Sequence, residues 1–146
     1  AMKNRIGEDN CQFSPGAELF LDNDYESSRL VDVEDFNSKA AKSDVILLCL
    51  GEIPSTEKPG DIRSLDMSVA QIELAKQAYA TGKPVIIVLV EARPRIIRKI
   101  VGEAAAIFQA YLPGDYGGDA LTKLIYGESN PSGKLPYTYP KYNGVI

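Results

Sequence analysis

The chain contains no histidine and no tryptophan, and only two cysteines. Without histidine, these residues cannot assemble a Ser-His-Asp triad, a Cys-His pair or a His-ligated zinc site. Cys11 and Cys49 lie far apart, so there is neither a CxxC redox motif nor paired zinc-ligand spacing. Both read as ordinary core or surface residues, since unpaired cysteine is commonly buried. Clustered lysine and arginine are missing as well, and the net charge of -4 is the wrong sign for a surface that displaces counterions from nucleic acid. The apolar runs 45–50 and 85–90 stop far short of the about 20 residues that span a bilayer. The opening AMKNRIGEDN has no apolar core segment and does not read as a signal peptide. Acid–base chemistry in this chain has to rest on carboxylates.

With 45 % hydrophobic and 25 % charged residues, the 146-residue chain reads as one globular domain with a core of useful size. AELFLD, at 17–22 after Pro15-Gly16, reads as a strand. Val33, Phe36 and Ala40 fall at helical spacing behind Asp32, Glu34 and Asp35, which predicts a helix over 33–42. DVILLCLG (44–51) is apolar at every position from Val45 to Leu50, the mark of a strand covered on both faces. The pattern then repeats. SVAQIELAKQAYATGK reads as a helix with Ser68 and Gln71 at capping-box spacing and Gly82 past its end. PVIIVLV (84–90) reads as a second doubly covered strand. RPRIIRKIVGE predicts a helix with Pro94 in its first turn, followed by a strand over 104–112 and a last helix ending near Gly127. Alternating strands and helices imply an α/β fold whose mainly parallel sheet lies between helix layers. In such sheets ligands gather outside the carboxyl ends of the strands, which directs attention to 51–67, 91–94 and 112–118.

The Gly-rich PGDYGGDAL opens a helix, yet it matches neither GxGxxG nor GxxxxGK[ST], and Asp115 and Asp119 would repel a phosphate. No nucleotide cofactor is expected. GEIPSTEKPGD (51–61) is the sharper candidate. Glu52, Glu57 and Asp61 sit at a strand's carboxyl end, stiffened by Pro54 and Pro59 and turned by Gly60. A carboxylic acid on a restrained loop can protonate a leaving group if its surroundings raise its pKa, although a glutamate in a polar loop is more often merely solvated. Arg63 is expected to pair with a carboxylate and hold the loop, and Glu52 and Asp61 to shape it. Tyr111, Tyr137, Tyr139 and Tyr142 could offer a sugar platform or pack against a neighbouring domain.

Three stretches together resemble the C-terminal α/β sandwich domain of glycoside hydrolase family 3, home of many β-glucosidases: SDVILLCLGEIPSTEKPGD, GKPVIIVLVEARP and AIFQAYLPGDYGGDALTKLIYGESNPSGKLPYTYP. The resemblance covers about residues 43–140. It implies a two-domain enzyme whose N-terminal (β/α)8 barrel, absent from these residues, supplies an aspartate nucleophile. It also implies that residues 3–9 end an interrupted helix, and that the sandwich is incomplete at its N-terminus. In glucan exohydrolase-like members a Gly-Glu-x-Pro-x-x-Glu-x-x-Gly-Asp loop carries the general acid/base on its second glutamate. Gly51, Glu52, Pro54, Glu57, Gly60 and Asp61 match it, so the resemblance makes Glu57 the acid/base candidate. It further implies a β-glucoside or oligosaccharide substrate, retaining hydrolysis, and no metal or organic cofactor; members of this layout are often periplasmic or secreted in bacteria. The chain departs from the family at Glu91-Ala92-Arg93-Pro94, where Asn-Gly-Arg-Pro is usual, and in lacking a substrate-stacking tryptophan. Alone, the chain is expected to be inactive and prone to self-association. The rival reading is a non-catalytic carbohydrate-binding or scaffolding module.

Overall fold

A computed structural model of the chain describes residues 1–20, 27–53 and 60–145. The elements run α1 (Met2–Ile6), β1 (Ala17–Leu19), β2 (Ser28–Leu30), α2 (Val33–Lys42), β3 (Ile46–Gly51), α3 (Val69–Ala80), β4 (Val85–Val90), a 3-10 turn (Val101–Glu103), β5 (Ala106–Gln109) and α4 (Gly117–Ile125). β3, β4 and β5 form a parallel sheet in that order, with Leu48 beside Ile87 and Ile87 beside Ile107. The α/β class expected from the alternation is the one observed. α2 occupies the predicted residues, and α1 (Met2–Ile6) overlaps the first part of the 3–9 segment implied to end a helix, the helix stopping before Gly7.

The two apolar runs behave differently once packed. β4, the central strand, is covered on both faces: Val88 and Leu89 are each 1 % exposed. β3 instead alternates, with Ile46, Leu48 and Leu50 buried and Cys49 exposed. The buried side joins Leu74, Ala75 and Ala78 of α3 and Phe36 and Ala40 of α2 in one core, where a fully buried Leu or Ile contributes about 1.5–3 kcal/mol. Position at the sheet edge, not composition, exposes the other side of β3.

Three local expectations need correction. Residues 94–103 do not form the predicted α-helix. The backbone N–H of Ile96 goes to Leu65 O at 2.7 Å, and its carbonyl accepts from Met67 N at 3.4 Å, so a helical ladder cannot start there. The apolar spacing survives as burial of Ile96, Ile97 and Ile100 around a single turn. Ser68 occupies the N-cap of α3 but its side chain makes no capping bond, and the Gln71 side chain bonds Gly51 and the Ser68 hydroxyl, not the Ser68 backbone N–H of a capping box. The strand at 17–22 is ordered as Ala17–Leu19 and pairs antiparallel with β2, a strand too short for its alternation to show in the sequence; Leu21 and Asp22 lie outside the described residues.

Candidate functional site

β3 ends at Gly51, and Gly51 is held from α3. The buried Gln71 side chain accepts the Gly51 N–H at 2.7 Å and donates to the Gly51 carbonyl at 2.8 Å. A third contact joins Gln71 Nε2 to Ser68 Oγ at 3.0 Å. The residue read as half of a capping box thus fixes the root of the loop.

Glu52 is the next anchor. Its Oε1 accepts the backbone N–H groups of Ala92 at 3.2 Å and Arg93 at 3.0 Å, while Oε2 accepts Arg93 Nε at 3.0 Å and Nη2 at 2.8 Å. Arg95 Nη1 stands 3.8 Å away. Burial pushes the Glu52 carboxyl up, but Arg93 and Arg95 more than offset it and hold it below the usual carboxylate range. The second edge of the Arg93 guanidinium donates to the carbonyl of Gly60. Arg95, itself buried, donates to Asp66 O at 2.6 Å. Both ends of the loop are therefore tied to 91–95, the segment that leaves β4.

Glu57 lies outside the described residues, as do Pro54 and Pro59. Asp61 and Arg63 are exposed, and among the described residues neither makes a side-chain hydrogen bond or ion pair. Of the four residues singled out from the sequence, the described structure places Glu52 in a network.

A second cluster sits beside the first. Glu91, 0 % exposed, accepts the Arg95 N–H at 3.2 Å and the Tyr139 hydroxyl on Oε1, while its Oε2 has no partner among the described residues. The Tyr111 and Tyr137 hydroxyls are buried and likewise unpaired there. Burial pushes the Glu91 carboxyl up, the Tyr139 hydroxyl and Arg95 N–H draw it back in part, and the charge of Glu52 adds to the rise. Burial, then Tyr111 and Glu91, push the Tyr137 hydroxyl up to about 12. Tyr111 adopts a left-handed backbone, φ 55°, at the end of β5, a conformation that costs a non-glycine residue about 1–3 kcal/mol. Of the tyrosines weighed as a sugar platform, Tyr111, Tyr137 and Tyr139 face this interior cluster, whereas Tyr142 stacks under Arg98 and Lys141 outside it. Lys134 is exposed. Sequence reasoning overlooked Arg93, Gln71 and Glu91; the available signal was the position of 91–94 at a strand's carboxyl end.

Pro15, Leu19, Cys49, Gly51, Glu52 and Gln71 border a cleft of about 220 Å³. That is smaller than the roughly 300–1,000 Å³ of ordinary small-molecule pockets. Among them, no group of three acidic or cysteine side chains could hold a metal ion, and no helix is long and apolar enough to cross a membrane.

The model of the glycosyl hydrolase family 3 C-terminal domain matches residues 2–146. The chain belongs to that family. A lysosomal beta glucosidase of Dictyostelium discoideum is 40 % identical over 144 residues, covering 98 % of this chain and 17 % of the relative. A beta-xylosidase of Formosa agariphila is 36 % identical over 75 % of this chain and 15 % of its own length. A periplasmic beta-glucosidase of Salmonella typhimurium is 33 % identical over 73 % of this chain and 14 % of its own length. Among solved structures, a beta-glucosidase from Listeria innocua in complex with isofagomine superposes with a TM-score of 0.73 at 32 % identity, covering 80 % of this chain and 17 % of that one. The chain thus spans about a sixth of the length of the family 3 proteins it matches.

Proposed function

We propose that this domain works as one half of a retaining β-glucosidase, together with an N-terminal (β/α)8 barrel, and that its loop 51–61 brings Glu57 to the barrel's substrate as general acid/base. The observation that carries the reading is the loop. Gly51, Glu52, Pro54, Glu57, Gly60 and Asp61 match the family's acid/base pattern, and the loop leaves the carboxyl end of β3 with its far end bonded to Arg93 just past β4, the side where α/β sheets bind ligands. The β-glucosidase relatives support a β-glucoside substrate, and the beta-xylosidase relative makes a β-xyloside the rival sugar.

In this mechanism the barrel aspartate attacks the anomeric carbon while protonated Glu57 gives its proton to the departing oxygen. Glu57 then takes a proton from the water that releases the sugar. Retention requires the two carboxyl groups to stand about 5–5.5 Å apart. Glu52 holds the first end of the loop, and a supporting role is proposed for Asp61 on the loop pattern and for Arg63 on its place two residues beyond it.

Glu57→Ala in the full-length enzyme tests the reading. Hydrolysis of a poor leaving group is expected to fall by about two to four orders of magnitude, while an activated aryl glucoside still forms the glycosyl-enzyme and azide restores turnover. Equal, small effects on both substrates would assign the proton to another residue and leave this domain a scaffolding or sugar-binding module.

A further inference from the structure

We propose that Arg93 is the positioning residue of the acid/base loop, clamping its two ends together from the neighbouring strand. This rests on the reading of Glu57 given above and names what aims it. One guanidinium is shared between the loop's two ends: Nε and Nη2 grip the Glu52 carboxylate at 3.0 and 2.8 Å, and Nη1 donates to Gly60 O. The Arg93 backbone N–H adds a further bond to Glu52 at 3.0 Å, and the Glu52 N–H donates to Val90 O at 3.2 Å. The chain between Glu52 and Gly60, fully extended, would reach about 25 Å or more, yet the clamp brings its ends within one guanidinium of each other. Closing a loop costs conformational entropy, and a loop closed before substrate arrives need not lose it again in the transition state.

Only arginine offers both edges. Its fork satisfies a carboxylate side-on while the remaining nitrogen reaches a carbonyl, whereas a lysine ammonium is a single point donor. The Glu52 side chain is 11 % exposed and that of Arg93 34 %, so the pair is partly shielded from solvent. Gln71 fixes Gly51 independently, so losing Arg93 frees the far end of the loop more than its root.

The test compares Arg93→Met, Arg93→Lys, Glu57→Ala and the double variant Arg93→Met/Glu57→Ala in the full-length enzyme, each with an activated and a poor leaving group. Arg93→Met is expected to lower kcat/KM for the poor leaving group about tenfold or more and for the activated one by less than about twofold, with Arg93→Lys in between. In the Glu57→Ala background the Met substitution should add no further discrimination. If Glu57→Ala discriminates between leaving groups but the Arg93 variants slow both substrates equally, or neither, Arg93 does not aim the loop and the acid/base reading survives. If Glu57→Ala itself shows no discrimination, both readings fall together. Thermal unfolding identifies a variant that has lost its fold; should Arg93→Met be one, Arg93→Lys carries the same comparison.

Discussion

Glu52 and Glu91 are both withdrawn from water, yet their carboxyls lie on opposite sides of the ordinary value of 4.5. Glu52 faces two guanidinium groups, which outweigh its burial. Glu91 faces a phenol, one backbone N–H, the charge of Glu52 and, as its smallest influence, the opposing charge of Arg95, and burial prevails. The signs follow by linkage. Glu52, lowered in the folded state, contributes stability that is present above pH 4.5 and is lost as pH falls through its folded value. Glu91, raised, contributes stability that is fully present below pH 4.5 and is lost as pH rises through its folded value. Glu91→Gln is therefore expected to remove a decline in stability on the alkaline side of 4.5, and urea unfolding from pH 4 to pH 8 checks it; parallel curves for the two proteins would show that Glu91 does not titrate in this range. At this scale the sequence was only partly legible. Glu52 stands out at a strand end, but nothing in EARP announces that Glu91 points inward and Arg93 back across the sheet.

At the scale of elements, the root of the loop depends on how closely β3 approaches β4. A Cβ built on Gly51 would lie 1.9 Å from the carbonyl oxygen of Val90 and 2.6 Å from its carbonyl carbon, and that backbone is central to the sheet. Gly51→Ala is expected to destabilise the domain by about 1–3 kcal/mol, as overpacking against an immovable neighbour does. Equilibrium urea unfolding reads this directly, and an unchanged midpoint would mean the strand end yields. The strands β3 and β4 and the helices α2 and α3 were legible because apolar runs and 3.6-residue spacing are local signals that packing reinforced. Residues 94–103 carry a helical spacing too. They miss the helix because Ile96 spends its backbone on Leu65 and Met67, partners about thirty residues away that no local pattern reveals.

For the whole molecule, the decisive quantity is length. The chain spans 14–17 % of the three relatives described above, and its described cleft is smaller than an ordinary small-molecule pocket. The isolated chain is expected to give no turnover of an aryl β-glucoside, since the proposed mechanism needs a nucleophile from the barrel. Turnover by rigorously purified chain would place a complete catalytic pair within these residues. Exposed Leu112, Tyr116 and Leu135 are expected to favour self-association of the chain on its own, and light scattering showing a monomer at high concentration would contradict that.

By itself the sequence determined the α/β alternation and the family and singled out the loop for which the chemistry is proposed, because each is written in short-range spacing or contiguous motif. Tertiary structure decided how that loop is held. Glu52 meets Arg93 across 41 positions and Glu91 meets Tyr139 across 48, and those pairings exist only once β3 and β4 are in register and the C-terminal segment has packed across their ends. Register and packing are collective properties of the folded core, so side chains that depend on them acquire partners that no stretch of sequence specifies alone.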